Sequence, residues 1–222
     1  MKTAIASLAL LSATLLQANV SITVVGTVNT DPTGTYTAGD PVSITFDVNL
    51  DPLAGFEQVV FNSGYNWWSS DNYSGGPLVL DNISSPQLGG TYSIDGSDSA
   101  PDERISTYSS ANRIILVNNP NTGGIGLTLG TADVTSINFS VEFLTSDLDL
   151  VTGTSTSVSD YFAGYEGSYS VATTNAFDIA TSSGTMTLDV TDMTIVPEPA
   201  TSALFLGFIA AGMLIYPRRK LS

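Results

Sequence analysis

Val42-Ser43-Ile44-Thr45-Phe46-Asp47-Val48-Asn49-Leu50 alternates apolar and polar residues without a fault over nine positions. Successive side chains of a strand point to opposite faces. Period two therefore sends Val42, Ile44, Phe46, Val48 and Leu50 to a core, and Ser43, Thr45, Asp47 and Asn49 to water. This is the pattern of a half-buried strand.

Working outward, Ile137-Asn138-Phe139-Ser140-Val141-Glu142-Phe143 repeats it, and so does Met186-Thr187-Leu188-Asp189-Val190. The phase slips at Thr191-Asp192 before Met193 and Ile195, which predicts a β-bulge. Weaker strand signals cover Val20–Val28, Phe56–Phe61, Leu78–Ile83, Thr91–Ile94 and Arg113–Val117. Turn clusters separate them: Asp31-Pro32-Thr33-Gly34, Ala38-Gly39-Asp40-Pro41, Ser74-Gly75-Gly76-Pro77, Asp95-Gly96 and Asn118-Asn119-Pro120-Asn121. Each supplies residues suited to positive φ or a fixed proline φ. Thr152–Ser159, nearly all Thr and Ser, reads as a mobile loop, and Gly164–Thr174 as a strand or a long loop. No window outside the termini has a helical period. Many short strands between frequent turns predict an all-β ectodomain, a single β-sandwich or jelly roll.

The 222 residues carry 21 Asp+Glu against 6 Lys+Arg, a net charge of −15. Lys2, Arg218, Arg219 and Lys220 lie at the two ends, which leaves Arg104 and Arg113 for everything between. So acidic a body repels nucleic-acid phosphates, and no nucleic-acid partner is expected. The chain has no Cys and no His. Disulfides, thiolate or imidazole metal sites, and Ser–His or Cys–His catalysis are excluded. An enzyme would have to work through carboxylates, Tyr, Ser, Thr and two Arg, and a non-enzymatic role is expected.

Two clusters carry possible chemistry. Asp95, Asp98, Asp102 and Glu103 place four carboxylates in nine residues of turn-forming sequence. Ca²⁺ takes about six to eight oxygen ligands from such loops. A solvated acidic loop is the alternative, and Asp147 with Asp149 is a weaker pair of the same kind. Trp67 and Trp68, with Tyr65 before and Tyr73 after, lie among Asn, Ser, Gly and Asp. An exposed aromatic face holds a pyranose ring through C–H contacts, and Asn66, Asp71 and Asn72 would add hydrogen bonds. The alternative is that one Trp fills the core while its neighbour covers a loop, because adjacent strand residues point opposite ways. A glycoside hydrolase needs two facing carboxylates about 5–5.5 or 6.5–9.5 Å apart, and nothing in the sequence singles out two.

The ends are the most specific part of the chain. Lys2, the apolar core Ala4–Leu11 and Leu15-Leu16-Gln17-Ala18 make a secretory signal peptide, residues 1–18, with the cut after Ala18. Beyond an ectodomain at 19–195, residues 196–222 read Val-Pro-Glu-Pro-Ala-Thr, an apolar run from Ala203 to Tyr216, then Pro217-Arg218-Arg219-Lys220. At ~1.5 Å per residue the run covers about two-thirds of a ~30 Å hydrocarbon core. Counted from about residue 201 to 217 it reaches the lower limit of a spanning helix. Cations after it stay on the cytoplasmic side, which puts the ectodomain outside.

This tail resembles the PEP-CTERM sorting signal of exopolysaccharide-producing Gram-negative bacteria. The matching parts are Pro197-Glu198-Pro199, the apolar run and Arg218-Arg219-Lys220, in the family's order. The resemblance implies a membrane processing enzyme, exosortase, as partner. It also implies anchoring in the inner membrane and delivery to the cell surface or an exopolysaccharide matrix. It covers the tail alone, and members carry unrelated folded parts. The expectation is thus a non-catalytic structural or adhesive matrix protein. The alternatives are a calcium-assisted carbohydrate-binding module and a carboxylate glycosidase. No cofactor is expected, Ca²⁺ excepted.

Overall fold

A computed structural model describes residues 20–48, 58–69, 79–93, 102–119, 124–153 and 157–197. The expected signal helix and membrane helix fall outside these residues. No helix among the described residues is long and apolar enough to cross a membrane.

The fold is all-β. Its strands are β1 (Val20–Thr30), β2 (Pro41–Val48), β3 (Gln58–Phe61), β4 (Tyr65–Ser69), β5 (Leu80–Ser84), β6 (Gly89–Gly90), β7 (Asp102–Tyr108), β8 (Arg113–Asn119), β9 (Leu127–Leu129), β10 (Ala132–Glu142), β11 (Gly167–Ser170), β12 (Thr173–Thr181) and β13 (Gly184–Pro197). One helix, α1 (Val158–Ala163), precedes β11. The main path runs β3-β4-β7-β8-β10-β12-β13-β1-β2-β5, all antiparallel. The short β6 and β9 branch from β10, and β11 pairs with the last part of β13.

This sheet curls into a half-barrel around one core. The Phe46 ring on β2 lies 5.4 Å from that of Phe139 on β10, although three strands separate them along the path. The stretch that decided the fold behaves as its period demands. Val42, Ile44, Phe46 and Val48 are buried, and Ser43, Thr45 and Asp47 are half-exposed. Each of these apolar side chains contributes about 1.5–3 kcal/mol by leaving water.

The predicted bulge is present. Val25 pairs with Asp192 and Gly26 with Val190, so Thr191 has no opposite number. The slip restores Met193 and Ile195 to the core. Gly26 sits at this irregularity because any Cβ there would collide with the Asp189 carbonyl.

Elsewhere the sequence reading needs correction. The acidic loop expected to run through Glu103 gives way to strand β7 at Asp102. Thr91–Ile94 is not a strand as far as Ser93: the pairing there is the short β6, after which the backbone N–H groups of Thr91 and Ser93 donate to Gly126 and Ile125. The Thr/Ser stretch expected as a loop ends in α1. Ser157 caps it, its hydroxyl accepting from the Asp160 N–H at 3.1 Å. Val158, Tyr161 and Phe162 anchor it in the core.

Candidate functional site

Strand β4 separates the two tryptophans. Trp68 faces inward and is fully buried. Its ring packs against Phe61 at 5.7 Å, Tyr161 at 5.2 Å and Phe162 at 6.3 Å. It offers no face to a sugar, which corrects half of the proposed pair. Trp67 faces outward and is half-buried. Tyr65 lies 6.4 Å from it, Tyr108 lies 5.8 Å from Tyr65, and the Arg104 guanidinium stands 5.2 Å over the Trp67 ring. The Trp67 indole N–H is itself buried and has no hydrogen-bond partner among the described residues. One outward strip thus holds aromatic rings and a cation.

Of the four carboxylates, Glu103 is the one whose side chain is described. Asp95 and Asp98 lie outside the described residues, as does the side chain of Asp102. Glu103 is fully buried and so withdrawn from any solvent-side cation site. Among the described residues, no group of three acidic side chains is placed to hold a metal.

Glu103 is instead the centre of a buried polar cluster. Its carboxyl accepts from Asn118 Nδ2 at 2.9 Å, from the Leu80 N–H at 3.3 Å and from the Tyr92 hydroxyl. Asn118 Nδ2 also donates to the Tyr92 oxygen at 3.0 Å, while Asn118 Oδ1 has no partner among the described residues. Burial pushes the Glu103 carboxyl up to about 7, against the opposing pull of the hydrogen bonds from Tyr92, Leu80, Asn118 and Val79. Burial, reinforced by the Glu103 charge, also holds the Tyr92 phenol far above its usual range. The sequence reading missed Tyr92 and Asn118. A usable signal existed for Asn118, which falls on the inward phase set by Ile114 and Leu116.

Two further buried amides clamp the segment after β10. Asn112 donates to the Phe143 and Leu148 carbonyls and accepts from the Leu150 N–H at 3.0 Å. Asn66 donates to the Val151 carbonyl at 3.3 Å and accepts from the Gly153 N–H at 2.8 Å.

The outer face of β11, β13, β1, β2 and β5 is a different surface. Ser168, Thr194, Thr23, Thr45 and Ser84 occupy one row in register across five strands. Ser168 bonds Thr194 at 3.0 Å and Thr23 bonds Thr45 at 2.9 Å. The neighbouring row joins Ser21 to Asp47 at 2.7 Å and Asn82 to Asp47 at 3.0 Å.

Of the sorting residues, Pro197 ends β13 and pairs with Val20. Glu198, Pro199, Arg218, Arg219 and Lys220 lie outside the described residues. No protein family, curated protein or solved structure matches this chain.

Proposed function

We propose that this is an exported, non-catalytic protein of the cell surface or extracellular matrix, sorted and anchored by its C-terminal signal. The observation that carries this reading is the order of Pro197-Glu198-Pro199, the apolar Ala203–Tyr216 and Arg218-Arg219-Lys220 at the end of the chain. An exosortase-like membrane enzyme is the partner that such a tail implies. The displayed body is a sandwich-like module built by the curled sheet, and its outer rows of hydroxyls and amides suit hydrogen bonding to a hydrated polysaccharide. The test is fractionation of the native host, comparing the natural chain with one in which Pro197, Glu198 and Pro199 are replaced by Ala. The natural chain is expected at the surface or in the matrix, and the variant held at the inner membrane. Intact natural protein in the cytoplasm would refute the reading.

A second reading, carbohydrate binding, is favoured by the half-exposed Trp67 beside Tyr65, Tyr108 and Arg104. Tryptophan fluorescence of the protein is then expected to shift on adding a polysaccharide, and more so with Ca²⁺. No change over a broad glycan panel removes this reading.

A further inference from the structure

Glu103 lies where the curled sheet meets itself. It belongs to β7, third from one end of the strand path, whereas Leu80 begins β5, the strand at the other end. The hydrogen bond from the Leu80 N–H to Glu103 therefore crosses the core and ties the two ends together. Tyr92 adds the segment 91–93 to the same carboxyl, and Asn118 adds β8. Among the described residues, β5 is otherwise held by four residue pairs with β2, broken by an irregularity, and by the buried Leu80 and Ile83 side chains.

Among the described residues, Tyr92, Asn118 and the backbone N–H groups of Leu80 and Val79 donate to Glu103, and all are neutral. Tyr92 is the titratable one among them; β8 presents the Asn118 amide, and β5 presents backbone N–H. Asp81 on β5 is exposed, and its charge acts on Tyr92. Arg104 and Arg113 stand on the opposite, outward phase of β7 and β8. A carboxyl buried among neutral groups is more stable with its proton.

We propose that Glu103 is a proton-operated clasp: protonated, it holds β5 and the segment 91–93 against β7 and β8, and ionised, it lets them open while the rest of the sheet stays paired. In the closed state Glu103 keeps its proton up to about pH 7, and in an open, hydrated state only up to its ordinary value of 4.5. Closed structure is therefore fully favoured below the ordinary carboxylate range. It becomes roughly tenfold easier to open for each pH unit above it, and levels off above about 7.

The test is amide hydrogen exchange of the full chain across this pH range, corrected for intrinsic exchange. Opening at residues 80–84 and 91–93 is expected to rise about tenfold per pH unit and then level off, while Val24 and Met193 stay protected. Glu103→Gln, which keeps the shape without the charge, is expected to show no such rise. Opening independent of pH in the natural chain, or the same rise in Glu103→Gln, overturns the clasp. Should the variant fail to fold, a ¹³C titration of the Glu103 carboxyl decides: a midpoint near neutrality supports the clasp, and one in the ordinary carboxylate range overturns it.

Discussion

Val20 and Pro197 are direct partners in the ladder between β1 and β13. Val20 lies two residues after the expected signal cleavage and Pro197 opens the Pro-Glu-Pro sequence, so the described sheet begins and ends beside these two sequence features. Pro197 is the last residue of β13.

This placement predicts that residues 20–197 contain the whole fold. Removing 1–19 and 198–222 is expected to leave the thermal midpoint nearly unchanged. Ending the chain at Asp192 instead removes the buried Met193 and Ile195. Losing large core side chains costs about 2–5 kcal/mol each, so that version is expected to lose cooperative melting by circular dichroism.

The tryptophans should behave as an inside and an outside reporter. Trp68→Ala is expected to cost about 3–5 kcal/mol in denaturant unfolding. Trp67→Ala is expected to cost about 1 kcal/mol. A soluble quencher should reach the emission of the Trp68→Phe variant, in which Trp67 remains, and largely fail on Trp67→Phe.

Stability should fall on both sides of a mildly acidic optimum. On the alkaline side, the raised Glu103 value means that its contribution is complete below about 4.5 and is lost as pH rises to about 7. That loss is on the order of a few kcal/mol and should vanish in Glu103→Gln. On the acid side the groups act oppositely. Burial raises Asp31, but bonds from the Thr33 hydroxyl and the backbone N–H groups of Tyr36, Thr33 and Thr35 more than offset it and hold it below its usual range. Glu142 is lowered by its hydrogen bonds from Arg113 and Asn175. Their stabilisation is present above the ordinary carboxylate range and is lost as pH falls below it. Chemical denaturation at a series of pH values, with Asp31→Asn and Glu103→Gln alongside, separates the two limbs.

Asn112 should be hard to replace. It holds φ at +46°, a region that disfavours most side chains, and its amide serves two carbonyls and one N–H of the segment after β10. Asn112→Ala is expected to cost about 2–4 kcal/mol by leaving buried backbone groups unpaired. Asn112→Gly relieves the φ but not the lost bonds, so it should recover only a small part. Faster exchange at Leu148 and Leu150 would locate the damage.

Strands with clean alternation were legible one by one. β2, β10 and β13 appear where period two places them, and the phase slip at Thr191 announced the bulge. β4 and β7 were not legible as strands, because their inward positions carry Asn66, Glu103 and Thr107 beside Trp68 and Ile105. A polar residue on the inward phase breaks the pattern on which strand reading relies. The same residues explain what was missed at the site. Glu103 belongs to an acidic run in sequence and to the core in space.

The chain by itself determined which residues alternate, that Cys and His are absent, and that four of the six cations, Lys2, Arg218, Arg219 and Lys220, lie at the two ends. Those properties depend on neighbours in sequence or on composition. Only the tertiary structure decided that Trp68 is core and Trp67 surface, that β5 closes against β7, and that Glu103 meets Tyr92 and Asn118. These depend on strand phase and on contacts between distant segments. Burial is set by what the rest of the chain packs around a residue, and that same burial turns an ordinary glutamate into a group that holds its proton near neutrality.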